Sequence, residues 1–196
     1  MNNVLAIWSI ISKDKSRVKT QSIRLKNIFF FRLTNLESDT RWFLIGSSFG
    51  GLVATLVTQR QPQSIHSLLL LAPAFNPIER WTTKFDLTQW KSTGFLNYFN
   101  PITQSEEPIS YQFFTDLQTH SAYPLVTTCP VTIIHGLHDD IVPIETSREY
   151  LKRLKSVNEH SISLIELDDD HHLRKKKTLN VIQNQIIQMH NRPSVL

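Results

Sequence analysis

The sequence predicts an α/β protein: a mostly parallel sheet with flanking helices, a small aromatic-rich helical cap and reduced N-terminal strands. Three observations carry this. Short apolar runs bounded by turn residues recur along the chain and are followed by helix-length stretches, the pattern of strand–helix–strand units. Three of the five glycines, Gly46, Gly50 and Gly51, fall in one turn between such a run and a helix. Eleven of the 19 aromatic residues lie between Phe75 and Tyr123, which marks that stretch as a distinct insertion.

Taken in order, Val4–Ile11 is a plausible buried strand, followed by a basic helical or irregular stretch from Lys13 to Lys26. Ile28–Leu33 is a second apolar run, whose aromatics favour strand. Trp42–Ile45 suits a buried parallel strand, and Leu52–Val57 continues beyond the glycines as an apolar helix that Pro62 stops. Ile65–Leu71 completes a βαβ unit, so its strand lies parallel to the preceding one. The aromatic-rich segment 75–124 is expected to be a helical cap, its rings mostly forming the cap's own core and a few lining an apolar pocket. Val131–Ile134 is a further buried strand. Ile144–Lys155 is a helix with Glu145 in its first turn and Lys152, Arg153 and Lys155 in its last, as the helix dipole favours. Ser161–Leu167 is the last strand. The final helix carries Leu179, Ile182, Ile186 and Met189 as a packing stripe.

At 196 residues the chain has room for one well-buried domain, read as 1–196 with the cap inserted in it. The net charge of +4 is spread along the chain except at Arg174–Lys177, a run expected on a solvated helix face. No aromatic-interleaved basic stripe accompanies it, so nucleic acid is not an expected partner. Val4–Ile11 is too short to span a bilayer and lacks a preceding basic residue and a small-residue cleavage site, so neither a membrane partner nor export is expected. The single Cys129 cannot form an internal disulfide and reads as packing, in keeping with a cytoplasmic location.

The chemistry gathers at three strand ends. Gly46 and Gly50 flank Ser48 in the pattern G-x-S-x-G, which by chance would occur in roughly one such sequence in ninety. A serine on a strained strand-to-helix corner projects its hydroxyl clear of the sheet, and small neighbours let strand and helix approach closely. The backbone N–H of Phe49 at the helix start is one donor for an oxyanion. A second strand ends in His135-Gly136-Leu137-His138-Asp139-Asp140-Ile141-Val142-Pro143, and a third in Asp168-Asp169-Asp170-His171-His172-Leu173. In a parallel sheet all these ends open on one rim, so serine, carboxylate and imidazole are brought together despite their separation in sequence. The Asp168–His172 cluster also contains metal-ligand residue types. Adjacent residues rarely converge on one ion, however, and no second ligand group has the expected spacing, so neither metal nor cofactor is expected.

Together, Gly46–Gly51, Leu71-Ala72-Pro73, His135–Pro143 and Leu167–Leu173 resemble the α/β-hydrolase superfamily and, more narrowly, small bacterial carboxylesterases of the YqiA type. The likeness runs from about Arg41 to the C-terminus. It implies Ser48 as nucleophile, Asp139 of H-G-x-x-D as the acid and His171 of D-H-x-L as the base, with Asp140 and His172 as fallbacks. The implied substrate is a small carboxylic ester or thioester, cleaved through an acyl-enzyme. Such relatives carry an early His-Gly pair whose loop supplies the second oxyanion donor, and no His-Gly occurs among the 45 residues before Gly46. With Val4–Trp8 standing in for that early strand, the backbone N–H of Ser9 or Ile10 takes the place of that donor. The shortened sheet would leave an apolar edge on which two copies could pair. A hydrolase-fold protein without turnover, binding acyl compounds or a partner protein, is the alternative.

Overall fold

A computed structural model describes residues 3–7, 42–100, 104–158 and 160–190. By internal contacts the chain divides into two compact units, one including Leu36–Phe75 and Tyr123–Leu196, the other including Asn76–Ala122.

The first unit is built on a five-stranded sheet: β1 (Asn3–Ile7), β2 (Trp42–Ser47), β3 (Ile65–Leu71), β6 (Val131–Gly136) and β7 (Ile162–Leu167), side by side in the order β1-β2-β3-β6-β7. All four pairings are parallel. Every residue of β3 and β6 is buried, and their near-continuous apolar composition is what a parallel strand covered on both faces requires. Helix α1 (Phe49–Arg60) joins β2 to β3, and eight of its twelve residues are buried. Its two buried threonines donate their hydroxyls to carbonyls within the helix, Thr55 to Leu52 and Thr58 to Ala54, so no polar atom is stranded there. Helix α5 (Ile144–Lys155), with the bounds the charge pattern predicts, joins β6 to β7.

Helix α6 (Lys176–His190) follows β7 and lays Met189, Val181, Ile182 and Ile186 against Phe43, Leu69, Leu71, Ile134 and Leu173. Leu179, expected on this stripe, is 52% exposed, whereas Thr178 is buried. Thr178 donates its hydroxyl to Asp169, which turns that side of the helix inward and carries Leu179, 100° further round, out to solvent.

The second unit carries the helices expected of a cap, and strands besides. It contains three short helices, α2 (Pro77–Lys84), α3 (Leu87–Thr93) and α4 (Tyr111–Leu117), and also an antiparallel pair, β4 (Phe95–Asn100) with β5 (Ser105–Ser110). The period of two decides this. Leu96 and Tyr98 are half-buried while Phe95, Asn97 and Phe99 face solvent, and aromatic residues at alternate positions favour strand over helix. Pro108, which has no N–H to donate, is tolerated because both strands of a two-stranded sheet are edges. Trp90 centres this unit's core, touching Trp81, Phe85, Tyr111 and Phe114, and its indole donates to the Ile109 carbonyl at 2.9 Å. These rings therefore pack on one another, as the simpler reading of the aromatic block expects. At the bounds of the insertion, Phe75 stacks on Tyr150 in the first unit, with ring centroids 4.1 Å apart. The residues read from sequence as a basic stretch and a second apolar run, Lys13–Lys26 and Ile28–Leu33, lie outside the described residues, as do Trp8–Ile11.

Candidate active site

Ser48 directly follows β2 and opens α1 with φ 52° and ψ −124°, a left-handed φ that costs a non-glycine residue energy and persists only when its surroundings enforce it. The neighbouring strand does the enforcing. The Ser48 N–H donates to Leu71 O at 2.8 Å, and Ser48 O accepts from the N–H groups of Ala74 and Gly51 at 2.9 Å each. The close approach that the glycines were expected to permit is also present: a Cβ placed on Gly46 would lie 2.4 Å from the Gly50 carbonyl oxygen.

Asp139 stands three residues beyond β6, its side chain wholly buried. One carboxylate oxygen, Oδ1, accepts the N–H groups of Ile141 at 3.0 Å and Val142 at 2.7 Å, an Asx-type turn that shapes the loop. The other, Oδ2, faces His171 Nδ1 at 2.7 Å. His171 stands four residues beyond β7, and its Nε2 lies 2.9 Å from Ser48 Oγ. Nδ1 faces only a carboxylate, so it carries the ring hydrogen and leaves Nε2 free to accept from the serine hydroxyl. Burial would raise the Asp139 pKa. Hydrogen bonds from His135, His171 and the Val142 N–H outweigh it and hold the carboxyl far below the usual carboxylate range.

The loop bearing His171 is pinned at several points. Asp169, also buried, accepts the Thr178 hydroxyl at 2.6 Å and the N–H groups of Lys175 and Asp170. Burial opposes its ionisation too, and these bonds hold its pKa low. Leu173 is buried in the core cluster, and Gly136 lets the loop cross β6: a Cβ there would lie 2.4 Å from Asp169 O.

The structure thus brings Ser48, His171 and Asp139 into one hydrogen-bonded chain. The fallbacks Asp140 and His172 are both exposed. Phe49 takes its expected position at the start of α1, while Ser9 and Ile10 lie outside the described residues. Sequence reasoning passed over His135, which also contacts Asp139 Oδ2, at 3.0 Å; its place four residues before Asp139 in the same motif was the available signal. Among the described residues no group of three His, Cys, Asp or Glu is arranged to hold a metal ion, and no helix is long and apolar enough to cross a membrane.

Comparison with known proteins gives this geometry a family. The model of the prolyl oligopeptidase family matches residues 30–188, most of the chain and all three candidate site residues. The chain belongs to the prolyl oligopeptidase family. As a member, it shares the α/β-hydrolase fold of its structural neighbours. Est1E from Butyrivibrio proteoclasticus, solved with ferulic acid bound, superposes with a TM-score of 0.66 at 23% identity, covering 86% of this chain and 68% of that one. Mouse alpha/beta hydrolase domain-containing protein 10 superposes with a TM-score of 0.64 at 19% identity, covering 83% and 66%. In sequence, this family member is 25% identical over 151 residues to the human mitochondrial palmitoyl-protein thioesterase ABHD10, across 74% of this chain and 49% of that protein. It is 30% identical over 103 residues to tobacco salicylic acid-binding protein 2, across 47% of this chain and 38% of that protein. The chain spans about half the length of the curated thioesterases it matches.

Proposed function

We propose that the chain is a serine hydrolase that cleaves carboxylic esters or thioesters through an acyl-enzyme. The observation that carries this reading is the unbroken run Ser48 Oγ, His171 Nε2, His171 Nδ1, Asp139 Oδ2, with links of 2.9 and 2.7 Å. In the mechanism, His171 takes the Ser48 proton as the hydroxyl attacks the acyl carbonyl. Asp139 stabilises the imidazolium that forms, and His171 then returns the proton to the leaving alcohol or thiol. Water, deprotonated by the same imidazole, releases the acid. The Phe49 N–H, at the positive end of α1, stabilises the oxyanion, with Ser9 as the proposed second donor. The names of the relatives, a thioesterase among them, support an acyl substrate joined through oxygen or sulfur.

A fluorophosphonate probe tests this. It should label the folded protein and fail to label Ser48→Ala, and hydrolysis of p-nitrophenyl esters and acyl thioesters should vanish in the same variant. Prolyl p-nitroanilides should be turned over far more slowly than either. No labelling of a folded wild-type chain would favour the second reading, a hydrolase-fold protein that binds acyl compounds or a partner without turnover. Pairing of two copies along β1, an edge strand among the described residues, is also part of the proposal; a monomer mass on size-exclusion chromatography would count against it.

A further inference from the structure

A second imidazole stands on the far side of Asp139. His135, the fifth residue of β6, is completely buried, and every polar atom of its ring is engaged. Its Nε2 lies 3.0 Å from Asp139 Oδ2 and 2.9 Å from the Val142 carbonyl oxygen. A carbonyl oxygen only accepts, so Nε2 bears a hydrogen and shares it between the two. Its Nδ1 lies 2.7 Å from the hydroxyl of Ser147 on α5, itself buried. The ring is therefore gripped at both ends by elements that do not carry the nucleophile.

The effect falls on Asp139. With two amides on Oδ1 and two imidazoles on Oδ2, all four acceptor directions of the carboxylate are filled. The group cannot rotate or tilt without breaking a bond in a site closed to water, where an unmet partner is costly. We propose that His135, held by Ser147, is a positioning residue that fixes the Asp139 carboxylate so that Oδ2 faces His171. This rests on the reading of Ser48, His171 and Asp139 as the reacting set. Besides Asp139, the ionisable group set beside His135 is Glu166, its register partner on β7, which in turn binds Arg148 of α5.

The test compares His135→Leu, which fills the space without a donor, with His135→Gln, whose amide nitrogen can reach where Nε2 stood, and with Ser147→Ala. Each is followed by melting temperature, by kcat and KM on a p-nitrophenyl ester, and by the downfield proton NMR signal of His171 Nδ1–H. His135→Leu should lower kcat by about 100-fold with KM within about twofold, because misorientation harms the reacting geometry more than binding. The same variant should shift or broaden the NMR signal. His135→Gln should recover about tenfold in kcat and sharpen the signal, although both variants lose the Ser147 contact and melt earlier. Equal kcat in the two variants, or an unchanged signal in His135→Leu, would overturn the proposal. If His135→Leu does not fold, Ser147→Ala decides: a displaced signal supports the proposal, and an unaltered one overturns it. The NMR comparison needs no turnover, so a wild-type chain lacking Ser48-dependent hydrolysis would sink the hydrolase reading while the role of His135 was still decided.

Discussion

Replacing Gly46 by alanine probes the corner on which the proposed nucleophile sits. The added methyl carbon would lie 2.4 Å from Gly50 O and 2.8 Å from both Gly50 C and Gly51 Cα, all of them backbone atoms that no side-chain rotation can clear. Restoring ordinary contact requires the first turn of α1 to withdraw from β2 by about 1 Å, since van der Waals repulsion rises steeply inside that distance. An overpacking strain of this kind costs about 1–3 kcal/mol. Ser48 lies between the two glycines and must move with the turn, lengthening a 2.9 Å contact to His171. A misplacement of that size costs about 100-fold in rate. Gly46→Ala should therefore show a lower urea midpoint and a fluorophosphonate labelling rate reduced by about two orders of magnitude. A variant with wild-type midpoint and wild-type labelling would refute the claim that this contact sets the serine's position.

Three further outcomes follow from the same geometry. Asp139→Asn keeps its oxygen on the Ile141 and Val142 amides and so turns its NH2 toward His171 Nδ1, favouring the tautomer in which Nε2 carries the hydrogen and cannot accept from Ser48; kcat should fall by about 10⁴, and a loss below tenfold would contradict the assignment. The Asp139 pKa is lowered on folding, so its stabilising contribution is fully present above the unfolded-state value, near 3.8, and is lost as pH falls through the still lower folded value. The melting-temperature gap between wild type and Asp139→Asn should accordingly be constant near neutrality and shrink below pH 4; a gap that widened on acidification would reverse the sign. Asp140→Asn and His172→Gln, both on exposed side chains, should change stability by less than about 0.5 kcal/mol and kcat by less than about twofold.

The site was legible in the sequence where chemistry and backbone demand coincide over a few residues. Ser48 needed glycines on both sides, Asp139 followed a strand that ends in glycine, and His171 stood two residues before a leucine that anchors its loop. The sheet was legible because β3 and β6 are near-continuously apolar and α5 carries its charges in dipole order. The narrower likeness to small bacterial carboxylesterases rests on those motifs alone. What escaped depends on which side of an element faces inward. Leu179 fits a helical stripe by spacing, but the Thr178 bond to Asp169 sets the rotation of α6. The β4–β5 hairpin hid inside an aromatic block whose composition suits helix and strand alike. His135 was visible within the motif, yet its contact with Asp139 depends on a loop that doubles back to bring Val142 O beside the same ring nitrogen.

Strand β3 supplies none of the proposed reacting side chains, yet both the amide and the carbonyl of Ser48 are tied to residues at its C-terminal end and just beyond it. The energy stored in that serine's unusual backbone is therefore guarded by the middle of the sheet as well as by the helix it begins. Slow deuterium uptake at the Ser48 amide, released only when the whole sheet opens, would be the signature of that arrangement. Loosening the sheet's centre would disarm the nucleophile before the fold itself was lost, which makes the all-apolar run Leu68–Leu71 a place where stability and reactivity cannot be tuned apart.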